Sequence, residues 1–156
     1  MITFQDMVYK SLEEFETAFS INAPDETRLK LIEEELTEWR EAFADFLKET
    51  ADVIYVVAGA ERVGLEFSSE LGPRVREFIA FARALDSLDP GIIADAFQRV
   101  HASNMSKLGE DGLPVRREDG KVLKGPNYEP PYLMDLVPAG PIVEASVLEG
   151  DYYAGA

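Results

Sequence analysis

Apolar residues recur at intervals of three and four through the first two thirds of the chain. Phe4, Met7, Val8, Leu12, Phe15 and Phe19 trace one side of a helix, with Thr3 standing where an N-cap belongs. Asn22-Ala23-Pro24 interrupts that spacing. A second helix is expected from about Asp25, with Leu29, Ile32, Leu36, Trp39, Phe43 and Phe46 as its stripe. The stripe marks Trp39 as a core residue, with stacking on a base as its alternative use. From Thr50 to Ala60 the sequence TADVIYVVAGA is apolar almost all round. Its Val and Ile content would suit a strand, yet a helix accounts for it better. Glu49, Asp52 and Val56 then share one face, and Val53, Val57 and Ala60 another. A helix apolar on most sides is a buried, central one, and Gly64 is placed to end it.

Two further helices follow. One starts at Gly72-Pro73 and groups Val75, Phe78, Ile79, Ala82 and Leu85; the other starts at Asp89-Pro90 and carries Ile93, Ala96, Phe97 and Val100. Past Asn104 the periodicity dissolves into stretches rich in Gly and Pro, which read as an irregular tail. The expected class is therefore all-α. Residues 1–105 form a helical domain, and residues 106–156 complete its site or a subunit interface.

Composition narrows the chemistry. The chain has 156 residues and no cysteine, so disulfides, thiolate metal sites and cysteine nucleophiles are excluded. No apolar run approaches the roughly 20 residues that cross a bilayer, and the N-terminus does not read as a signal peptide, so a cytoplasmic protein is expected. With 15 Lys+Arg against 30 Asp+Glu the formal net charge is −15. That field repels nucleic acid and attracts cations. Many of these carboxylates serve as a solvated surface.

Some of them are patterned. Glu34, Glu35 and Glu38 are followed by Glu49 and Asp52. At about 100° per residue, Glu34 and Glu38 lie roughly 40° apart and Glu35 about 60° to the other side of Glu38, so all three can converge. Glu49 and Asp52 share a face by their i, i+3 spacing. On two antiparallel helices these five carboxylates would point into one gap. Such a cluster repels itself unless hard divalent cations neutralise it, and those cations also take phosphate oxygens as ligands and activate water. The arrangement carries its own test. Were residues 25–66 one helix, Glu38 and Glu49 would stand about 16 Å apart along its axis. A shared site within one chain therefore requires a turn near Phe43 to Phe46, where no Gly or Pro marks one. The competing reading is a solvated acidic helix face.

Between Val100 and Lys124 basic residues outnumber acidic ones, five to four. Asn104 and Lys107 precede the turns Asp111-Gly112, Asp119-Gly120 and Lys124-Gly125-Pro126, which would let the backbone approach a ligand. An ordinary surface loop is the alternative. His101, the single histidine, is expected to pack rather than catalyse. Tyr128, Tyr132, Tyr152 and Tyr153 would stack on a neighbouring subunit or, less favourably, on a base. There is no Walker-type glycine loop and no Gly-x-Ser-x-Gly.

The pattern EExxE (Glu34, Glu35, Glu38) followed by ExxD (Glu49, Asp52) resembles the metal motif of the all-α NTP pyrophosphatase superfamily, which includes MazG, the phosphoribosyl-ATP pyrophosphohydrolases and the dimeric dUTPases. The string HASNMSKLGEDGLPVRREDGKVLKGPNYEPP is similar to the tail of phage-type and small bacterial MazG-like proteins. The two stretches together cover roughly residues 25–131. The resemblance implies a four-helix core, assembly as homodimers or homotetramers, and cleavage of a nucleoside triphosphate between its α- and β-phosphates. It further implies that Glu34, Glu35, Glu38, Glu49 and Asp52 ligate two or three magnesium or manganese ions, with Glu35 and Glu38 as the catalytic carboxylates and Glu35 orienting the water. Asn104 and Lys107 would contact substrate, and Lys121, Lys124 and Tyr128 would close over the nucleotide. A purine such as dGTP or GTP is the expected substrate, with dUTP as the alternative, in nucleotide-pool control. Two departures from the family pattern stand out: a short spacing between the acidic pairs, and an extra helix over residues 68–88. A non-enzymatic acidic protein that imitates DNA, or a helical scaffold without a site, are the readings of another class.

Overall fold

A computed structural model of the chain describes residues 3–138. The expectations for Tyr152, Tyr153 and the remainder of 139–156 lie outside them. Four helices make up the regular structure: α1 (Phe4–Ala18), α2 (Asp25–Arg62), α3 (Leu71–Leu88) and α4 (Ile92–Met105). Among the described residues there is no strand, only the isolated antiparallel bridges Leu108–Pro114 and Arg116–Val122. The fold is all-helical. No helix is long and apolar enough to cross a membrane.

The described residues fall into two compact units, 3–36 and Thr37–Pro138. In the first, Thr3 caps α1 in a reciprocal capping box. Its hydroxyl accepts from the Asp6 N–H at 3.1 Å, and the Asp6 carboxylate accepts from the Thr3 N–H at 3.0 Å. Those hydrogen bonds, the one from the Thr3 backbone foremost, hold the Asp6 carboxyl below its ordinary pKa. The helix ends where the sequence indicates, with Ser20 in the left-handed region (φ 53°) and Ile21 N–H donating to Glu16 carbonyl at 2.9 Å. Arg28, on the first turns of α2, pairs with Glu16 at 2.7 Å. No residue of α1 is buried.

The second unit holds the core. Leu47 of α2, Ile92 and Ala96 of α4, and Leu133 from the segment after α4 are all buried and cluster together, with Phe43, Leu85 and Leu136 packed around them. α2 ends as expected: Gly64 takes φ 73°, and Leu65 N–H returns to Ala60 carbonyl at 3.0 Å. α3 and α4 pack on each other. Between them Asp86 caps the start of α4, accepting from the N–H groups of Gly91 and Ile93, both at 3.2 Å.

Three expectations are corrected. First, α2 does not turn near Phe43 to Phe46; it is one helix of 38 residues. The sequence Arg40 to Asp52 contains no breaker, and its side chains reinforce the helix one turn at a time. Thr50 Oγ1 donates to the Phe46 carbonyl at 2.8 Å, and Lys48 reaches Asp52 at 3.0 Å. Second, the apolar stripe of α2 is not all core. Trp39 is half exposed, and Phe46, Val53 and Val56 are exposed as well. The core lies against the side carrying Leu47, and Phe46 packs edge to face on Phe81 of α3 with ring centres 5.8 Å apart. Third, residues 129–137 are no loose tail. Leu133 and Val137 are buried, and the segment is strapped down by Arg99, which donates to Tyr132 carbonyl at 2.9 Å and grips both carboxylate oxygens of Asp135. Arg40 donates to Met134 carbonyl at 3.2 Å, and buried Ser103 to Glu129 carbonyl at 2.7 Å.

Candidate functional site

The acidic residues occupy α2 in two groups. Glu34 and Glu35 lie on its portion within the first unit; Glu38, Glu49 and Asp52 lie on its portion within the second. With α2 unbroken, Glu38 and Glu49 are eleven residues and hence about 16 Å apart along the axis. A magnesium ion holds its oxygen ligands at about 2.0–2.1 Å. One chain does not bring Glu38 and Glu49 to a common ion, and among the described residues no cluster of three or more His, Asp or Glu side chains is placed to hold one. The donors are chemically suited to a hard divalent cation. Their placement in a single chain is not.

What does meet the second acidic pair is a lysine. Lys48 Nζ lies 2.6 Å from Glu49 Oε1 and 3.0 Å from Asp52 Oδ2. The Glu49 hydrogen bond raises the Lys48 pKa above its ordinary value, against a smaller opposing effect of burial and with help from Asp52. Its ammonium therefore stands where a metal ion bound to these carboxylates would place its charge. The lysine was legible as an i, i+4 partner of Asp52, yet the carboxylate pattern drew the reading past it.

Asp52 is followed one turn later by Tyr55, whose ring stacks between α2 and α4. It lies 5.5 Å from the Phe97 ring and 6.0 Å from the His101 imidazole, and its hydroxyl is 3.2 Å from His101 Nδ1. His101 packs, as the sequence suggests. One turn further along α4, Asn104 Oδ1 accepts from the Lys107 ammonium. Lys107 and Lys124 both lie over the ring of Tyr128, with their Nζ atoms 6.0 and 4.5 Å from its centre.

Four of the five residues expected to contact substrate are thus brought together: Asn104, Lys107, Lys124 and Tyr128. Lys121 is not among them. It is exposed and serves the tight turn after Arg117, its carbonyl accepting from Arg117 N–H at 2.8 Å while its own N–H donates to Asp119 at 3.1 Å. The hydrogen bonds from Arg117, first, and from the Lys121 N–H hold Asp119 below the ordinary carboxyl range.

The glycines here serve the fold. Gly112 and Gly120 take φ 73° and 86°, and a Cβ on Gly125 would meet the Lys107 carbonyl oxygen at 2.8 Å. The close backbone approach expected near Lys124-Gly125 is made to the end of α4, which is how Lys124 arrives beside Lys107. Among the described residues neither ammonium has a carboxylate partner: both lie over the Tyr128 ring, and Lys107 donates to the Asn104 amide. A comparison with protein families, curated proteins and solved structures yields no match for the chain.

Proposed function

We propose that the protein is a metal-dependent nucleoside triphosphate pyrophosphohydrolase of the MazG-like, all-α type, converting a (deoxy)nucleoside triphosphate and water to the monophosphate and pyrophosphate. The observation that carries this reading is the convergence of Asn104, Lys107, Lys124 and Tyr128 at the end of α4. The residues that resemble the family's substrate-contacting group form one cationic, aromatic-backed surface in a chain of net charge −15. Two ammonium groups with no carboxylate partner among the described residues suit a triphosphate. The Tyr128 ring fixes both of them, and the Asn104 amide fixes the approach of Lys107.

The acidic pattern Glu34, Glu35, Glu38, Glu49 and Asp52 supplies the oxygen donors such an enzyme needs for magnesium or manganese, with Glu35 and Glu38 as the carboxylates nearest the chemistry. The family resemblance adds a homodimer or homotetramer acting in nucleotide-pool control, and a purine substrate such as dGTP or GTP ahead of dUTP. Incubation with dGTP and magnesium, followed by separation of products, should give dGMP and pyrophosphate. Glu38→Gln and Asp52→Asn should each reduce turnover by about two orders of magnitude or more. Equal activity in both variants, or no turnover of any nucleotide, defeats the reading. The −15 charge on its own favours a second reading, an acidic protein that imitates nucleic acid. That protein would hydrolyse nothing and would elute from a column of a DNA-binding partner at high salt.

A further inference from the structure

Between α2, α3 and α4 lies an open cavity of about 700 Å³. Its apolar walls are Ile54 of α2, Ile79 and Ala82 of α3, and Ile93 and Phe97 of α4. The volume is that of a small-molecule site, roughly 300–1,000 Å³. Phe97 supplies an aromatic ring, itself stacked on Tyr55 with ring centres 5.5 Å apart.

Two charged groups join this apolar lining on one face of α3, where Ile79, Arg83 and Asp86 recur at four and three residues. Asp86 is held in place. Its Oδ1 accepts from the N–H groups of Gly91 and Ile93, both at 3.2 Å, and its Oδ2 accepts from no described residue. Arg83, one turn earlier, makes no ion pair among the described residues, in a chain with 30 Asp+Glu. A fixed carboxylate oxygen and an unpaired guanidinium fork, one turn apart beside an aromatic ring, suit a flat heterocycle that has both donors and acceptors. Of the four standard bases, only guanine offers two adjacent donors on one edge, N1–H and the 2-amino group. A carboxylate oxygen can accept both, while the O6 and N7 acceptors match a guanidinium.

The cavity is also in line with the cationic group at the end of α4. Asn104 follows Phe97 by seven residues, two turns along the same face and about 10 Å away. A nucleotide laid along this face has its base at Phe97 and its phosphates toward Asn104, Lys107 and Lys124.

We propose that the cavity between α2, α3 and α4 is a guanine-binding site. Asp86 accepts from N1–H and the 2-amino group, Arg83 donates to O6 and N7, and Phe97 lies against the ring. The cavity and its polar pair stand by themselves; that the guanine belongs to the substrate rests on the proposed pyrophosphohydrolase activity.

Calorimetry of the full-length protein with dGMP and dAMP reads the site without turnover. The wild type should bind dGMP at least tenfold more tightly than dAMP. Ala94 lines the cavity and is exposed, so Ala94→Phe fills the space without entering the core, and should weaken dGMP at least tenfold. Asp86→Asn keeps an oxygen for the start of α4 but sets an amide donor against the guanine donors. Its dGMP-to-dAMP ratio should fall close to one, with a thermal midpoint near that of the parent. Lys107→Met should weaken both nucleotides by the same factor.

Equal affinity for the two nucleotides in the wild type overturns the site. So does binding of neither, the result expected of a groove that a second copy covers, and so does a dGMP preference that survives both Ala94→Phe and Asp86→Asn. If dGMP binds as stated while no triphosphate is turned over, the pyrophosphohydrolase reading fails and the site stands. Turnover of dGTP and dATP alike, unchanged by Ala94→Phe, keeps the reaction and removes the site.

Discussion

Lys48 is the residue whose placement most changes the picture of the acidic pattern. Its ammonium bridges Glu49 and Asp52, so a metal ion arriving at these carboxylates must displace an internal cation. Half-exposed ion pairs of this kind contribute little, which sets the size of the effect. Lys48→Met is expected to tighten manganese binding by about two- to fivefold in calorimetry. Unchanged or weaker binding would mean that Lys48 does not compete with the ion. Gly125 makes the opposite point about a residue without a side chain. An added methyl group would sit 2.8 Å from the Lys107 carbonyl oxygen, a backbone atom at the end of α4 that cannot step aside cheaply. Gly125→Ala should therefore lower stability by about 1–3 kcal/mol in thermal unfolding and move Lys124 off Tyr128. A variant as stable as the parent would show that the loop relaxes freely.

At the scale of elements, helix starts and stops were legible because each carries its own local chemistry. Thr3, Pro24, Gly64 and Pro90 mark boundaries by capping or by fixing φ, and the observed helices begin or end beside them. The continuity of α2 was not legible in the same way. A turn was expected because two carboxylate groups were asked to meet within one chain; the residues from Arg40 to Asp52 are all compatible with a helix, and no local signal opposed it. Local physics prevailed over the functional requirement.

The strap over residues 129–137 was missed for another reason. Its anchors are long-range: Arg99 to Asp135 spans 36 residues and Arg40 to Met134 spans 94. No periodicity announces such contacts. The Arg99 hydrogen bonds hold the Asp135 carboxyl below its ordinary value. Because that pKa is depressed in the folded chain, the contribution is complete above the ordinary carboxyl range and is lost as pH falls through the depressed value. The thermal midpoint should fall more steeply below a pH of about 4 in the parent than in Asp135→Asn, and parallel curves would remove the strap from the acid sensitivity.

At the scale of the whole molecule, the two halves of the candidate site have different standing. The residues Asn104, Lys107, Lys124 and Tyr128 are brought together within one chain, and Lys121, expected beside them, stands apart. The acidic residues are spread along one unbroken helix, on which Trp39, Val53 and Val56 are exposed. Apolar periodicity marks a face for burial without saying what covers it. The net charge of −15 makes a field that attracts cations.

A panel of all ribonucleoside and deoxyribonucleoside triphosphates decides the proposed reaction. With magnesium or manganese present, a monophosphate and pyrophosphate should form in equal amounts, fastest with a guanine nucleotide and abolished by a chelator. Release of orthophosphate in place of pyrophosphate, or no turnover across the panel, would contradict it.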